Sequence, residues 1–410
     1  MKCYENLVYR GLIKDVSDEE ALKKALDTEV VKFYIGYDPT GQSLTVGHLV
    51  QLIRSMNLQK YGHIPVVVIG GGTGLIGDPR QTSERKLLTL EESLENAQKI
   101  ENQIKKYLPK AIFVNNYSWL KDISLITFLR DYGKNYSINY MLNKEVVKAR
   151  LENGISYTEF SYMIIQAIDF LTLYEKYGVR MQSGGSDQWG NITSGLDLIR
   201  KTHPDSNALG FSSPLLLKSD GAKFGKSESG ALWLDRNLTT PFELYQYFIN
   251  SNDADCDTYL KFLTLLSKEE IEATMQEHLK EPEKRLAQKT IASEVVKLVH
   301  SKKDLESAIK ISNALFGFKF EDLSKEEFKD LTKSFGSSKI EVNRNLLDLL
   351  VELELSSSKR EAREFISSGA IFVGSTKITN QDYVIKENDY YHNNFIVIRR
   401  GKKKFVVGEK

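Results

Sequence analysis

The chain is predicted to be α/β: a Rossmann-like doubly wound parallel sheet, followed by an α-helical domain and a small α+β domain. Three observations lead there. Apolar, β-branched runs alternate with segments of helical period over the first 220 residues, the pattern of successive βαβ units. Two of those runs end in glycine clusters, Gly70-Gly71-Gly72-Thr73-Gly74 and Gly184-Gly185. Beyond Asp235 the pattern changes to helices with charged faces and no clear strands. With 410 residues and 41% hydrophobic content, the chain can bury a sizeable core and is too long for one ordinary domain.

The elements follow in order. Val30 to Tyr37 is rich in β-branched and aromatic residues and ends in the turn-prone Asp38-Pro39-Thr40-Gly41, so it reads as a strand. From Val46, the residues Leu49, Val50, Ile53 and Met56 recur at helical spacing, with Thr45 placed as N-cap. Pro65 to Ile69 is continuously apolar, as in a parallel sheet covered on both faces. A polar helix near 91–107, a short strand Ala111 to Val114 and helices between 123 and 150 come next. Ser156-x-x-Glu159 is a capping-box signature for a helix reaching Tyr177, and Val179 to Gln182 is a further strand. These elements set a first domain at 1–220. Residues 221–330 carry the loop Lys223-Phe224-Gly225-Lys226-Ser227 and the α-helical domain, and 331–344, polar around Ser334 to Ser338 with Gly336, reads as a linker. Residues 345–410 hold two short helices, strand-like Gly369 to Val373 and Phe395 to Ile398, and a basic tail from Arg399 to Lys404.

Composition excludes several classes. A formal charge of +1 carries no whole-chain signature of a nucleic-acid binder, so basic surface must be local. Cys3 and Cys256 stand far apart, without metal-ligand spacing, and such sparse usage fits a reducing compartment, so no metal site and a cytoplasmic location are expected. The first 30 residues carry Glu5, Asp15, Asp18, Glu19 and Glu20 and no apolar run of signal length, which argues against a presequence. No stretch approaches the roughly 20 apolar residues of a membrane helix.

Three constellations carry chemistry. At the first strand-to-helix junction, Gly47 lets a ligand approach the helix start, His48 projects from the first turn, and the hydroxyls of Thr40 and Thr45 suit phosphate oxygens. Lys223 and Lys226, three apart on a glycine-containing loop, can close over a triphosphate and neutralise the departing pyrophosphate. Two such elements around one pocket suit attack on the α-phosphate of ATP, the chemistry of carboxylate activation. Third, Tyr162, Gln166 and Asp169 fall at i, i+4 and i+7 on a helix that is otherwise hydrophobic almost all round. Buried polar groups need partners, and a small polar ligand would supply them. Asp78, and Asp187 with Gln188, follow the two glycine clusters, where open α/β sheets bind ligands. One acid suits a substrate ammonium and another ribose hydroxyls, with helix capping the alternative for either and above all for Asp187.

Five blocks, in order, resemble the bacterial-type tyrosyl-tRNA synthetases, class I enzymes with a Rossmann catalytic domain. They are Tyr34-x-Gly36-Tyr37-Asp38-Pro39-Thr40, Gly70 to Pro79, Tyr162-x-x-x-Gln166-x-x-Asp169, Gly184 to Asn191 and Lys223 to Ser227. The terminal module resembles the S4-like RNA-binding domain of that family. The resemblance implies that Tyr34 and Asp169 hold a substrate phenol and that Asp78, Tyr162 and Gln166 surround its ammonium, while Gln188 orients it. It implies that Asp38, Gly185 and Asp187 meet ATP or the adenylate. Thr40, Thr45, His48, Lys223, Lys226 and Ser227 would then serve the phosphates and the transition state. Expected partners are tyrosine, ATP with Mg2+, tRNA(Tyr) and a second copy of the chain in a homodimer. Neither a membrane nor a tightly bound cofactor is expected. Lys359, Arg360 and Arg363, near the start of a helix in the terminal module, would meet tRNA phosphates. Two departures stand out: the family's signature usually begins with histidine where this chain has Thr45, and cysteine is common where it has Ile35. Threonine still offers one hydrogen bond to a phosphate oxygen; isoleucine offers none.

Overall fold

The structure is a computed structural model that describes residues 1–79, 87–152, 154–219, 221, 224–227, 230–401 and 404–410, with residues 145, 146, 226 and 227 described by backbone alone. The chain divides into two compact units, Met1–Trp233 with Ala254–Gln276, and Leu234–Asp253 with Glu277–Lys410. The first unit therefore takes in more than residues 1–220: the Phe224–Trp233 segment and part of the expected helical domain belong to it.

The first unit is built on a five-stranded parallel sheet. Its strands are β1 (Lys32–Tyr37), β2 (Ile64–Ile69), β3 (Ile112–Asn115), β4 (Met181–Gly185) and β5 (Leu209–Ser213), in spatial order β3-β2-β1-β4-β5. Val66, Val67, Val68 and Ile69 are buried, as continuous apolar runs between two helical layers must be. The helices that matter here are α1 (Cys3–Tyr9), α2 (Glu19–Thr28), α3 (Leu49–Lys60), α4 (Leu90–Tyr107), α5 (Tyr157–Tyr177) and α6 (Trp189–Thr202). The order of winding reverses between β1 and β4, which pair in register at Tyr34 and Gln182. A crevice at the carboxyl ends of those two strands is where this architecture binds ligands.

Helix boundaries follow local chemistry. Ser156 caps α5 by accepting the Glu159 amide, and Gly178 ends it at φ 65°, a left-handed conformation that glycine adopts without strain. The expected reciprocal half of a capping box is replaced: the Glu159 carboxylate turns to Arg150 at 3.0 Å, a pair with both side chains buried. Thr45 precedes a single 3-10 turn, Val46–His48, and the α-helix proper starts at Leu49.

The second unit combines the helices Pro241–Ile249, Leu286–Val299, Lys302–Gly317 and Lys325–Phe335 with a five-stranded terminal sheet. Residues 331–344 are not the linker expected from their polarity. Lys325–Phe335 is one helix, and Ser338–Lys339 pairs in parallel with Lys404–Glu409. The physical reason is apolar anchoring at wide spacing. Phe328 lies flat on Phe395, with centroids 5.2 Å apart, and Ile340 is fully buried while its amide donates to the Glu409 carbonyl. Among the described residues, no helix is long and apolar enough to cross a membrane.

Candidate active site

The carboxyl ends of β1 and β4 open into a cavity of about 410 Å³. Tyr34, Asp38, Thr40, Thr45, Gly47, His48, Asp78, Tyr162, Gln166, Asp169, Gly185, Asp187 and Gln188 all line it, so residues from five separate chain segments converge there. Lys223 lies outside the described residues, as do the side chains of Lys226 and Ser227.

One end of the network is phenolic and acidic. Tyr34 is 3% exposed, and Asp169, at 1%, is the strongest charge acting on its phenol. Asp169 is held by two donors that sequence reasoning missed: Asn116 Nδ2 at 2.9 Å and the Trp119 indole N–H at 2.8 Å. Asn116 also donates to Thr73 Oγ1 at 3.0 Å and accepts the Gly72 amide at 2.8 Å, tying Asp169 to the glycine-rich turn. Both residues follow β3, and their position at the carboxyl end of a sheet strand was the one signal that could have found them. Burial, opposed by these two donors, pushes the Asp169 carboxyl up to about 7.

Asp38 is clamped between Thr73 and Tyr162, accepting Thr73 Oγ1–H at 2.7 Å and the Tyr162 hydroxyl at 2.8 Å. A side chain at Gly70 would collide with Asp38 and Thr73, so this close turn requires glycine. Asp78 accepts Gln188 Nε2 at 2.7 Å and Asn191 Nδ2 at 3.3 Å, and Asn191 also donates to Gln166 Oε1 at 3.0 Å. Burial, reinforced by Asp38, pushes the Asp78 carboxyl up to about 7. Several acids thus share one poorly solvated space, and a cationic group among them would relieve their mutual repulsion. The capping alternative for Asp187 is not taken: it sits in the 3-10 turn Ser186–Gln188 and no side-chain cap opens that turn or α6.

At the first strand-to-helix junction, His48 Nδ1 accepts the Thr45 amide at 3.1 Å, which places the ring proton on Nε2. Thr45 Oγ1 lies 3.0 Å from the same nitrogen. Burial holds the imidazole below its usual value, so the ring is a neutral N–H donor. The base of the lysine loop reaches this junction: the Val46 amide donates to Leu232 O at 2.8 Å, and Leu232 N–H donates to Gly225 O at 3.0 Å. Gly225, at φ 78°, is close enough that a Cβ would stand 3.1 Å from the Gly47 amide nitrogen. The two segments assigned to phosphate chemistry are therefore neighbours in space.

The family described as tRNA synthetases class I (W and Y) matches residues 26–317, and the tyrosine--tRNA ligase SYY-like C-terminal domain matches residues 327–407. The tyrosine--tRNA ligase of Phytoplasma australiense is 51% identical over 98% of both chains. This chain belongs to the tyrosyl-tRNA synthetases. Tyrosine--tRNA ligase 1 of Bacillus subtilis is 47% identical over 98% of both chains. Among solved structures, a C-terminally truncated mitochondrial tyrosyl-tRNA synthetase of Aspergillus nidulans superposes with a TM-score of 0.68 at 31% identity, covering 77% of this chain and 94% of that one. A tryptophanyl-tRNA synthetase from Encephalitozoon cuniculi shares the fold, with a TM-score of 0.55 at 14% identity.

In the terminal module, Lys359, Arg360 and Arg363 lie on the helix Lys359–Ser367. Lys359 pairs with Asp348 at 2.7 Å and Arg360 with Glu364 at 3.4 Å, while Arg363 is exposed. Exposed pairs of this kind exchange partners at little cost, so all three remain available to a polyanion.

Proposed function

We infer that this chain is a tyrosine–tRNA ligase that activates tyrosine with ATP, releases pyrophosphate and transfers the tyrosyl group to the 3'-terminal ribose of tRNA(Tyr). The observation that supports the substrate most directly is a buried Tyr34 that feels the charge of Asp169, a carboxylate that Asn116 and Trp119 already orient. A phenol hydroxyl donating to Asp169 would complete that set, and phenylalanine would leave it unpaired, which rejects it far better than an apolar wall does. Asp78, Tyr162 and Gln166 would receive the ammonium, with Gln188 steering Asp78.

ATP would lie along Asp38, Gly47, Gly185 and Asp187, with the ribose at Asp187. The attacking carboxylate is already ionised and needs no base, so rate acceleration comes from in-line placement and from donors aimed at the phosphates. His48 Nε2–H, the Thr40 hydroxyl, Lys223, Lys226 and Ser227 are assigned that task. Thr45 would act chiefly by holding His48. Magnesium would arrive on the triphosphate: Asp38 and Asp78 are already engaged by protein donors rather than gathered as a ligand set. Lys359, Arg360 and Arg363 would contact tRNA phosphates. A homodimer and a cytoplasmic location complete the reading, the latter supported by two buried free thiols, Cys3 and Cys256.

The deciding experiment is pyrophosphate exchange into ATP with each of the twenty amino acids offered singly. Exchange with tyrosine alone is expected; equal exchange with phenylalanine would remove Asp169 from its assigned role.

A further inference from the structure

Arg54, in α3, is 1% exposed and heads the large side chains that are fully buried. It donates through Nη1 to Gly184 O at 2.7 Å and to Ser213 Oγ at 2.8 Å, while Nε and Nη2 have no protein partner. Among the described residues, no ion pair neutralises it. The hydroxyls of Tyr37 and Ser183 are also buried and unpartnered. Register pairs Tyr34 with Gln182, so strand alternation puts Tyr37 and Ser183 on one sheet face. Arg54, Tyr37, Ser183, Gly184 and Ser213 all line the active-site cavity.

A fully buried cation served only by neutral acceptors is expensive unless something anionic completes it. Among the described residues, Asp187 is the carboxylate whose charge acts on Arg54, and it stands three residues beyond the Gly184 carbonyl that Arg54 holds. Burial pushes the guanidinium down to about 10, still charged at neutral pH.

We propose that Arg54 is a positioning residue for the nucleotide half of the site: it pins the ends of β4 and β5 so that Gly185 and Asp187 face the ribose, and its buried charge favours a phosphate-bearing ligand. This rests on the reading that places ATP along Asp38, Gly185 and Asp187. The tyrosine half, built on Tyr34, Asn116, Trp119 and Asp169, is not touched by Arg54 and should not sense its loss.

The test compares Arg54→Gln, Arg54→Lys and Asp187→Ala in tyrosine-dependent pyrophosphate exchange, with ATP binding by calorimetry alongside. Arg54→Gln should raise KM for ATP about tenfold or more, since hydrogen bonds from a charged donor are lost, while KM for tyrosine stays within about twofold. Arg54→Lys should keep most ATP affinity near neutral pH. A buried lysine loses its proton more readily than arginine, so its KM for ATP should climb with pH where the parent chain stays flat. Two results overturn the proposal: an unchanged KM for ATP in Arg54→Gln, or a parallel rise in both KM values that marks general damage. If Arg54→Gln does not fold, a flat pH profile in Arg54→Lys overturns it instead. Raised KM for ATP in Asp187→Ala with none in Arg54→Gln defeats this proposal alone. No change in Asp187→Ala defeats the placement of the nucleotide, and the proposal with it.

Discussion

Trp119 donates its indole N–H to Asp169 at 2.8 Å, from a short helix that neither lies in a recognisable motif nor adjoins Asp169 in sequence. The carboxylate proposed above to read a phenol is thus fixed by donors of the protein itself. Trp119→Phe keeps an aromatic ring, though a smaller one, and removes the donor. We expect KM for tyrosine to rise about tenfold or more, as loss of a hydrogen bond to a charged group implies, with KM for ATP unchanged. Pyrophosphate exchange at varied tyrosine concentration checks this, and an unaltered KM would show that Asn116 suffices.

Tyrosine affinity should depend on pH near neutrality. Asp78 and Asp169 are both raised to about 7 by burial, and the ammonium and phenol need ionised acceptors. Affinity should therefore weaken as pH falls through 7, by up to about tenfold per unit for each proton taken up. For stability of the ligand-free chain the sign is opposite: an acid raised on folding favours the folded state below its unfolded value and loses that contribution as pH rises through 7. Tyrosine titrations by fluorescence between pH 6 and 8 decide the first point, and melting curves over the same range the second.

His48→Ala should slow adenylate formation about 100- to 1000-fold, the scale for losing one preorganised donor to a developing charge, with tyrosine binding intact. Thr45→Val keeps the backbone amide that orients the ring through Nδ1, so it should cost far less than His48→Ala. Pre-steady-state rates separate the two; equal losses would give Thr45 a direct contact with phosphate.

Arg150 and Glu159 form a buried pair at 3.0 Å. Glu159→Ala removes the carboxylate facing a buried guanidinium, which keeps its bond to the Gly154 carbonyl, and should cost about 3–5 kcal/mol. Urea denaturation followed by circular dichroism measures this; a loss below about 1 kcal/mol would mean that the remaining hydrogen bonds of Arg150 suffice to hold its charge.

The sequence by itself determined the layered α/β fold, the polar stripe Tyr162, Gln166 and Asp169, and the junction of Thr45, Gly47 and His48. Each rests on local information: strand composition, helical spacing, or a glycine at a helix start. Tertiary structure decided what depends on residues distant along the chain. Asn116 and Trp119 look unremarkable until β3 is placed beside β2 and faces α5. Arg54 reads as one charged residue on an amphipathic helix until α3 packs it against Gly184 and Ser213. The supposed linker at 331–344 carries a polarity that composition detects, whereas Phe328 on Phe395 and Ile340 bonded to Glu409 are contacts between residues 67 and 69 positions apart. Local periodicity reports which face of an element is apolar, but only the folded chain settles what that face meets.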